Sequence, residues 1–375
     1  MKVALVHDWL TGMRGGEKCL EVFCELYPEA DLYTLVYTPE NVSPTIQRMN
    51  VCASWLNRLP AAAKYFRYLL PLFPQAVERW DLSGYELILS SSHCVAKNVL
   101  PHRALHIAYV HTPMRYVWDL HDAYLSGEGG SIISRLGLSL FRSYLQKWDV
   151  QSTARVHYWI ANSSNIAGKI ERFYGRTSRI IYPPVDVERF FISREVQPFY
   201  LIVSALVPYK RIDLAIEAFN ALQLPLKIAG SGPLRRSLEQ RAKTNIEFLG
   251  WLDDAKIAKL YASCQALIFP GEEDFGIAAL EAQASGRPVI GFKRGGLLET
   301  VIGIDESPDS RPTGIFFNKQ NAASLIAALR LYERNRDRFA PDVIRAHALR
   351  FGRERFKQEM TDYLDFCLKL RRECA

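Results

Sequence analysis

The sequence has no apolar run approaching the ~18–20 residues that a membrane-spanning helix needs, no low-complexity tract and no repeat of solenoid period. It also has no CxxC pair, no lysine and arginine block of nucleic-acid-binding type, and no G-x-G-x-x-G fingerprint opening either half. These absences argue against a helical membrane-spanning protein, a repeat array, a zinc-ribbon or thioredoxin-type protein and a nucleic-acid-binding module, and they disfavour an ordinary dinucleotide-dependent enzyme. No basic and apolar leader precedes the strand-like run Lys2–His7, so secretion is not expected. The seven cysteines (Cys19, Cys24, Cys52, Cys94, Cys264, Cys367 and Cys374) are odd in number and lie mostly in apolar contexts. They read as thiols of a reducing compartment, not as a disulfide framework or zinc site.

What is present is globular in character. The chain has 375 residues, 49% hydrophobic and 23% charged. At roughly 150 residues per domain, that length predicts two domains, each able to bury its own core. The net charge of +7 suits an anionic partner such as a nucleotide diphosphate or an anionic lipid, and equally an ordinary charged surface. Apolar runs of strand length alternate with segments of helical period. Strands are expected near 2–7, 31–36, 86–90, 105–110 and 157–161, and again near 199–204, 225–229, 245–249, 266–269, 288–291 and 313–317. Helices are expected at 16–26, 61–78, 136–154 and 164–174, then at 210–222, 232–243, 254–263 and 276–285. Such alternation predicts an α/β protein with parallel sheets covered on both faces. The stiff Tyr182-Pro183-Pro184-Val185-Asp186 stretch marks the domain boundary, giving domains at 1–182 and 183–352. A charged amphipathic helix at 353–373, with no strand after it, must pack on something already built.

The chemistry-bearing residues lie at the carboxyl ends of predicted strands, the edge that faces the ligand crevice in open α/β sheets. His7–Lys18 follows the first strand, and Gly15 and Gly16 open the first helix there. This pattern fits either close approach of an anionic ligand or a tight strand–helix turn. His111, in the segment Tyr109–Asp119, can exchange a hydrogen bond with a hydroxyl or carbonyl, or be a structural histidine. Lys210 and Arg211 put two cations at a helix start, which opposes the helix dipole. A bound diphosphate between them would remove that conflict. Gly230, in Ala229–Leu234, opens another glycine-rich turn. The segment Phe269–Ala282 carries Glu272, Glu273 and Asp274 in a loop and Glu281 on the helix after it. Glu273 and Glu281 fall on one side, roughly two helical turns apart. That spacing suits gripping ribose and sugar hydroxyls better than a paired acid and nucleophile. Stabilisation of the helix start by its dipole is the competing explanation. Lys293–Thr300 leaves a further open turn, with Gly295 and Gly296.

Taken in order, VHTPMRYVWD, the NSS at 162–164, YPPVD, VPYKRIDLAIEAF, GEEDFGIAALEA, ASGRPVI and FKRGGLLET make this sequence resemble glycosyltransferase family 4 of the GT-B superfamily. The closest likeness is to the mannosyltransferases of bacterial O-antigen and polysaccharide assembly. The E-x7-E pattern from Glu273 to Glu281 is the strongest motif, and the likeness covers nearly the whole chain. The resemblance implies two Rossmann-like domains with parallel sheets facing across a cleft. The first would serve the acceptor, with helix 353–373 packing back on it, and the second would hold the donor. It implies that Lys210, aided by Arg211, neutralises the donor diphosphate, that Gly15 and Gly16 let it approach, and that Gly230 adds to the phosphate cradle. Glu281 would bind the ribose, and Phe248, Leu249 and Gly250 would lie near the nucleobase. Glu273, with the backbone at Phe275, Gly276 and Ile277, would position the transferred sugar, and His111 would contact it from the other domain. One departure is Ala205, where many members carry an arginine; it weakens the assignment of Arg211 more than that of Lys210.

The expected activity is a retaining, metal-independent transfer of a hexose, read as mannose, from a nucleotide-diphosphate sugar such as GDP-mannose to a glycan or lipid-linked acceptor. No cofactor and no nucleic acid are expected. The expected location is the cytoplasm, with peripheral contact on the inner face of an anionic membrane. The segments 58–73 and 133–148 mix basic and aromatic residues in a way that suits such a surface, or they face the core. A sugar-nucleotide epimerase of the same two-domain plan and a catalytically inactive sugar-nucleotide-binding scaffold are the alternatives.

Overall fold

Short runs that are buried along their whole length, such as Val3–His7 and Leu105–Val110, leave no face for water and so pair as parallel strands with both sides covered. In the computed structural model, which describes residues 1–115, 117, 118, 132–305 and 311–373, the chain divides into two compact units. One is Met1–Pro184 with Glu354–Ala375, and the other is Val185–Arg353.

The first unit is built on strands β1 (Val3–His7), β2 (Asp31–Thr34), β3 (Asn50–Ala53), β4 (Leu87–Ser92), β5 (Leu105–Val110), β6 (Tyr158–Ala161) and β7 (Arg179–Ile180). They form a seven-stranded sheet in the order β3-β2-β1-β4-β5-β6-β7, and the ladder pairs are parallel. The second unit has β8 (Tyr200–Val203), β9 (Leu226–Ala229), β10 (Ile246–Gly250), β11 (Leu267–Phe269), β12 (Val289–Phe292) and β13 (Gly314–Phe317), in the order β10-β9-β8-β11-β12-β13. The order in which strands are added across the sheet therefore reverses between β1 and β4 in one unit, and between β8 and β11 in the other. Those are the points where an open parallel sheet leaves a crevice at its carboxyl edge.

Several details depart from the sequence expectations. The helix expected over 61–78 is broken into Ala62–Tyr65, a 3-10 stretch Phe66–Leu72 and Phe73–Glu78. Pro71 removes an amide donor from its middle, and Ala61 sits at φ 54° just before it. The strand expected over 31–36 stops at Thr34, because Leu35 turns to donate its amide to the Asp8 carbonyl. The helix expected from 232 begins at Arg235, since Gly232 lies against the Leu206 backbone and Pro233 follows it. The short strands β3 and β7 escaped the sequence pattern because they are brief and only partly buried.

The last helix, Arg353–Glu373, buries Phe356, Met360, Leu364 and Cys367, a stripe at helical spacing, in the core of the first unit. Phe356 stacks on Phe23 with ring centroids 5.9 Å apart. At about 1.5–3 kcal/mol for each fully buried large side chain, that stripe is enough to hold the helix in place. A polar core supports the same unit: the buried Lys97 ammonium donates to buried Asp149 at 2.7 Å, and Trp118 and Tyr174 donate to the other carboxylate oxygen. No disulfide occurs among the described residues, consistent with thiols in apolar surroundings; Cys374 lies outside them. No helix among the described residues is long and apolar enough to cross a membrane.

Candidate active site

In the second unit, the loops after the strands are fastened to one another through their backbones. Gly230 lies at φ 134°, and a side chain there would place its Cβ 1.9 Å from the Ser204 carbonyl oxygen. A Cβ on Gly232 would lie 2.4 Å from the Leu206 oxygen. Glycine alone lets the turn after β9 press onto the turn after β8. The Gly230 amide also donates to the Gly250 carbonyl at 2.7 Å, which joins the end of β10, with half-buried Leu249, to the same group. A Cβ on Gly271 would lie 2.9 Å from the Lys210 Cα, so the turn after β11 packs on the turn after β8. The Gly296 amide donates to the Glu273 carbonyl at 2.8 Å, adding the turn after β12.

This fastening brings Lys210 and Glu273 together at the reversal point between β8 and β11. Lys210 ends a 3-10 turn, Pro208–Lys210, and its ammonium pairs with the Glu273 carboxylate. Their side chains are only 16% and 18% exposed. Arg211 follows at φ 53° and starts the helix Ile212–Leu222. Its guanidinium turns to Asp213, at 3.1 and 3.2 Å, and to Gln320, at 3.3 Å. The two adjacent cations therefore find carboxylates within the chain, and the helix-start conflict is met without an outside anion. Gln320, which the sequence did not single out, also donates to the Pro270 carbonyl and ties the Arg211 and Glu273 turns together.

Phe275 is buried and Gly276, at φ 92°, starts the helix Ile277–Ala284. No acid lies in the first turn of that helix, so the partner of Glu273 is Lys210, not the helix dipole. Glu281 lies on this helix, directly after the Glu273 turn. Its carboxylate accepts from the Tyr261 hydroxyl at 3.1 Å and lies 3.8 Å from the Arg189 guanidinium. Neither Tyr261, on the helix Asp254–Ser263, nor Arg189, on the 3-10 turn Val187–Arg189, was marked by the sequence; their contact with Glu281 depends on elements distant in sequence converging, which no local pattern reports. Burial, and then the Glu281 charge, push the Tyr261 hydroxyl well above its ordinary pKa, so it stays a donor.

In the first unit, a second polar group gathers where β1 and β4 diverge. Asp8 is buried and accepts hydrogen bonds from the amides of His93, Cys94, Val95 and Ala96. Burial opposes its ionisation, but the neighbouring His93 and His7 rings and those amides hold its carboxyl below the ordinary range. His111 follows β5, and its Nε2 lies 2.9 Å from the Ser91 hydroxyl. Burial, reinforced by His93 and His7, lowers its pKa to about 3, so the ring is neutral at ordinary pH. Gly15 begins the helix Gly15–Leu26, and Gly16 lies beside His111. The serines that end β4 are polar residues in a strand, a signal that could have pointed to Ser91 and His93. Tyr116 and Asp119 of the His111 segment lie outside the described residues.

Known proteins give this geometry a class. Residues 186–347, most of the second unit, match the model of the family described as glycosyl transferases group 1. The whole chain is similar in fold to the Anabaena protein HepE in complex with UDP, with a TM-score of 0.69, 18% identity and coverage of 97% of this chain and 100% of that one. The fold is GT-B. Among curated relatives, the Escherichia coli O-antigen chain mannosyltransferase C is 28% identical over 160 residues, 38% of this chain and 43% of its own length. A Mycobacterium tuberculosis GDP-mannose-dependent α-(1-6)-phosphatidylinositol dimannoside mannosyltransferase is 39% identical over 116 residues, 28% of this chain and 30% of its own. The chain spans less than half the length of each of these two curated relatives.

The glycines separate into two kinds. Gly230→Ala must strain its backbone and displace Ser204, so it should cost about 1–3 kcal/mol in urea unfolding. A Cβ on Gly16 would meet only His7 and His111 ring atoms, at 3.5 Å or more. Gly16→Ala, in a helix, should therefore stabilise the fold by about 0.5–1 kcal/mol while lowering turnover. A stabilised variant with full turnover would remove Gly16 from the site.

Proposed function

We propose that this protein is a retaining glycosyltransferase that moves a hexose, read as mannose, from a nucleotide-diphosphate sugar to a glycan or lipid-linked acceptor. The observation that carries the reading is the Lys210–Glu273 pair at the reversal point of the second sheet. A mostly buried ammonium needs a negative partner, and a donor diphosphate offers a stronger one than a single carboxylate. On this account the diphosphate displaces Glu273 from Lys210. The freed carboxylate then accepts hydrogen bonds from hydroxyls of the transferred sugar, and Glu281, held by Tyr261 and Arg189, takes the ribose hydroxyls. Arg211 stays with Asp213 unless the diphosphate draws it away. Gly230, with the backbone at Leu249, Phe275, Gly276 and Ile277, supplies close approach, and Gly15, Gly16 and His111 are the first unit's contributions.

As the bond between the anomeric carbon and the diphosphate oxygen breaks, negative charge grows on the leaving oxygens. Lys210 is already in place to meet it. The acceptor hydroxyl oxygen bonds the anomeric carbon on the same face, and its proton passes to the departing phosphate oxygen. The positive charge comes from the chain itself, so the reaction needs no metal or cofactor, and turnover should survive chelation.

The GDP-mannose donor is favoured by the mannosyltransferase names of the relatives. HepE, in contrast, was crystallised with UDP-glucose. GDP-mannose at about 100 times its Kd should stabilise the fold by roughly 2.7 kcal/mol. Stabilisation by UDP-glucose alone would overturn the donor assignment. Lys210→Ala should lower kcat by about 10²–10³ while leaving the fold intact, as expected when one charge-stabilising donor is lost. Unchanged kinetics in a folded variant would remove Lys210 from the reaction.

We also place the acceptor at an anionic membrane surface, inside the cytoplasm. The segment 58–73 has two faces: Phe66, Leu70 and Phe73 are buried, while Tyr65, Tyr68 and Leu72 are exposed, Tyr68 by 65%. Lys64 and Arg67 sit over the Tyr65 and Phe66 rings. Farther along the chain, Phe141 and Tyr144 are also exposed; the side chains of 133–140 lie outside the described residues. Exposed aromatics beside cations suit the headgroup layer of an anionic bilayer. The protein should co-sediment with vesicles containing phosphatidylserine at low salt, and the double variant Lys64→Glu with Arg67→Glu should not; equal sedimentation of both would refute membrane contact.

A further inference from the structure

Glu17, His7, Ser91 and His111 form a continuous polar chain in the first unit. The His7 Nδ1 lies 3.1 Å from the Ser91 hydroxyl oxygen, which in turn lies 2.9 Å from the His111 Nε2. At the other end, the His7 Nε2 is buried, makes no hydrogen bond, and faces the Glu17 carboxylate at 3.9 Å. Glu17, His7 and Ser91 are buried, whereas His111 is only partly so. The His111 backbone is held on both sides: its amide donates to the Ser92 carbonyl and its carbonyl accepts from the Asn162 side chain.

We propose that Glu17, acting through His7 and Ser91, fixes the tautomer of His111, so that His111 holds its proton on Nε2 and offers the Nδ1 lone pair as an acceptor. Each step follows from hydrogen-bonding rules. A bare lone pair on His7 Nε2 would be repelled by the carboxylate it faces, so we place the single proton of that ring on Nε2. The His7 Nδ1 is then an acceptor and takes the Ser91 hydroxyl proton. The Ser91 oxygen must in turn accept, and the group that donates to it is His111 Nε2–H. That leaves His111 Nδ1 without a proton. Ser91 is the hinge of the argument, since one hydroxyl has one proton to give. Glu17, His7 and Ser91 are positioning residues. The chemical consequence rests on the transferase reading above: His111 would accept a hydrogen bond from a hydroxyl of the sugar instead of donating one to it.

The arrangement makes an unusual prediction for Glu17→Gln. The Arg14 amide donates to the Glu17 carboxylate at 3.0 Å, and in the variant it would keep the amide oxygen. The side-chain nitrogen introduced by the substitution would then face His7 and donate to Nε2. His7 would carry its proton on Nδ1, the Ser91 hydroxyl would turn to His111, and the His111 proton would move to Nδ1. One substitution two side chains away would reverse the ring.

The test is 15N NMR of the full chain labelled at histidine, without donor, at pH 7, with the His111 signals assigned by His111→Gln. Wild type should show a protonated Nε2 and a bare Nδ1. Glu17→Gln should show the reverse, and in a Ser91→Ala background Glu17→Gln should no longer change the His111 tautomer. A protonated Nδ1 in wild type, or an unchanged tautomer in Glu17→Gln, would overturn the proposal, as would a reversal that persists in Ser91→Ala. The measurement needs no substrate. A confirmed tautomer with no sugar transfer would defeat only the transferase reading, and transfer with the wrong tautomer would defeat only this inference.

Discussion

A lysine ammonium with little access to water requires a negative partner, and that requirement organises the second unit. Lys210 is placed where the sheet order reverses, and the turn that brings Glu273 to it can approach only because Gly271 has no side chain. The turns after β9, β10 and β12 are then fastened to the same place by Gly230, Gly250 and Gly296. These contacts are mostly backbone to backbone. They leave the side chains of Lys210, Glu273 and Glu281 on a rigid edge, the arrangement that preorganised charge stabilisation needs.

The first unit uses a different device at the corresponding reversal point. It concentrates titratable groups in a buried network and satisfies them with backbone amides and one serine hydroxyl. Asp8, bonded by four amides, is an anchor for the turn after β4. His111 is kept neutral by burial.

Much of the fold could be read from the sequence because buried parallel strands write themselves as uninterrupted apolar runs, and Tyr200–Val203 and Val289–Phe292 are examples. The single helix expected over 61–78 is broken: its composition is helical, while Pro71 and the Ala61 backbone interrupt it. Of the site, residues carried in linear motifs were visible: Lys210, Glu273, Glu281 and the glycines. Their partners Tyr261, Arg189, Gln320 and Ser91 were not, since each reaches its partner from an element distant in sequence (a helix, a 3-10 turn, a loop and a strand end) and carries no local signature. The sequence also suggested that two adjacent cations awaited an anion. The structure gives each a carboxylate, because Asp213 and Glu273 are supplied by the helix start and by the facing turn.

The central claim is that Glu273 stands in for a diphosphate at Lys210 and yields to it. Calorimetric titration of a nucleoside diphosphate, without sugar, into wild type, Glu273→Gln and Lys210→Ala tests this most directly. The account predicts that Glu273→Gln binds at least as tightly as wild type, since the competing carboxylate is gone. Lys210→Ala should bind at least about tenfold more weakly, some 1.4 kcal/mol. Equal weakening in both variants would contradict it, because Glu273 would then be supporting the diphosphate site and not competing for it.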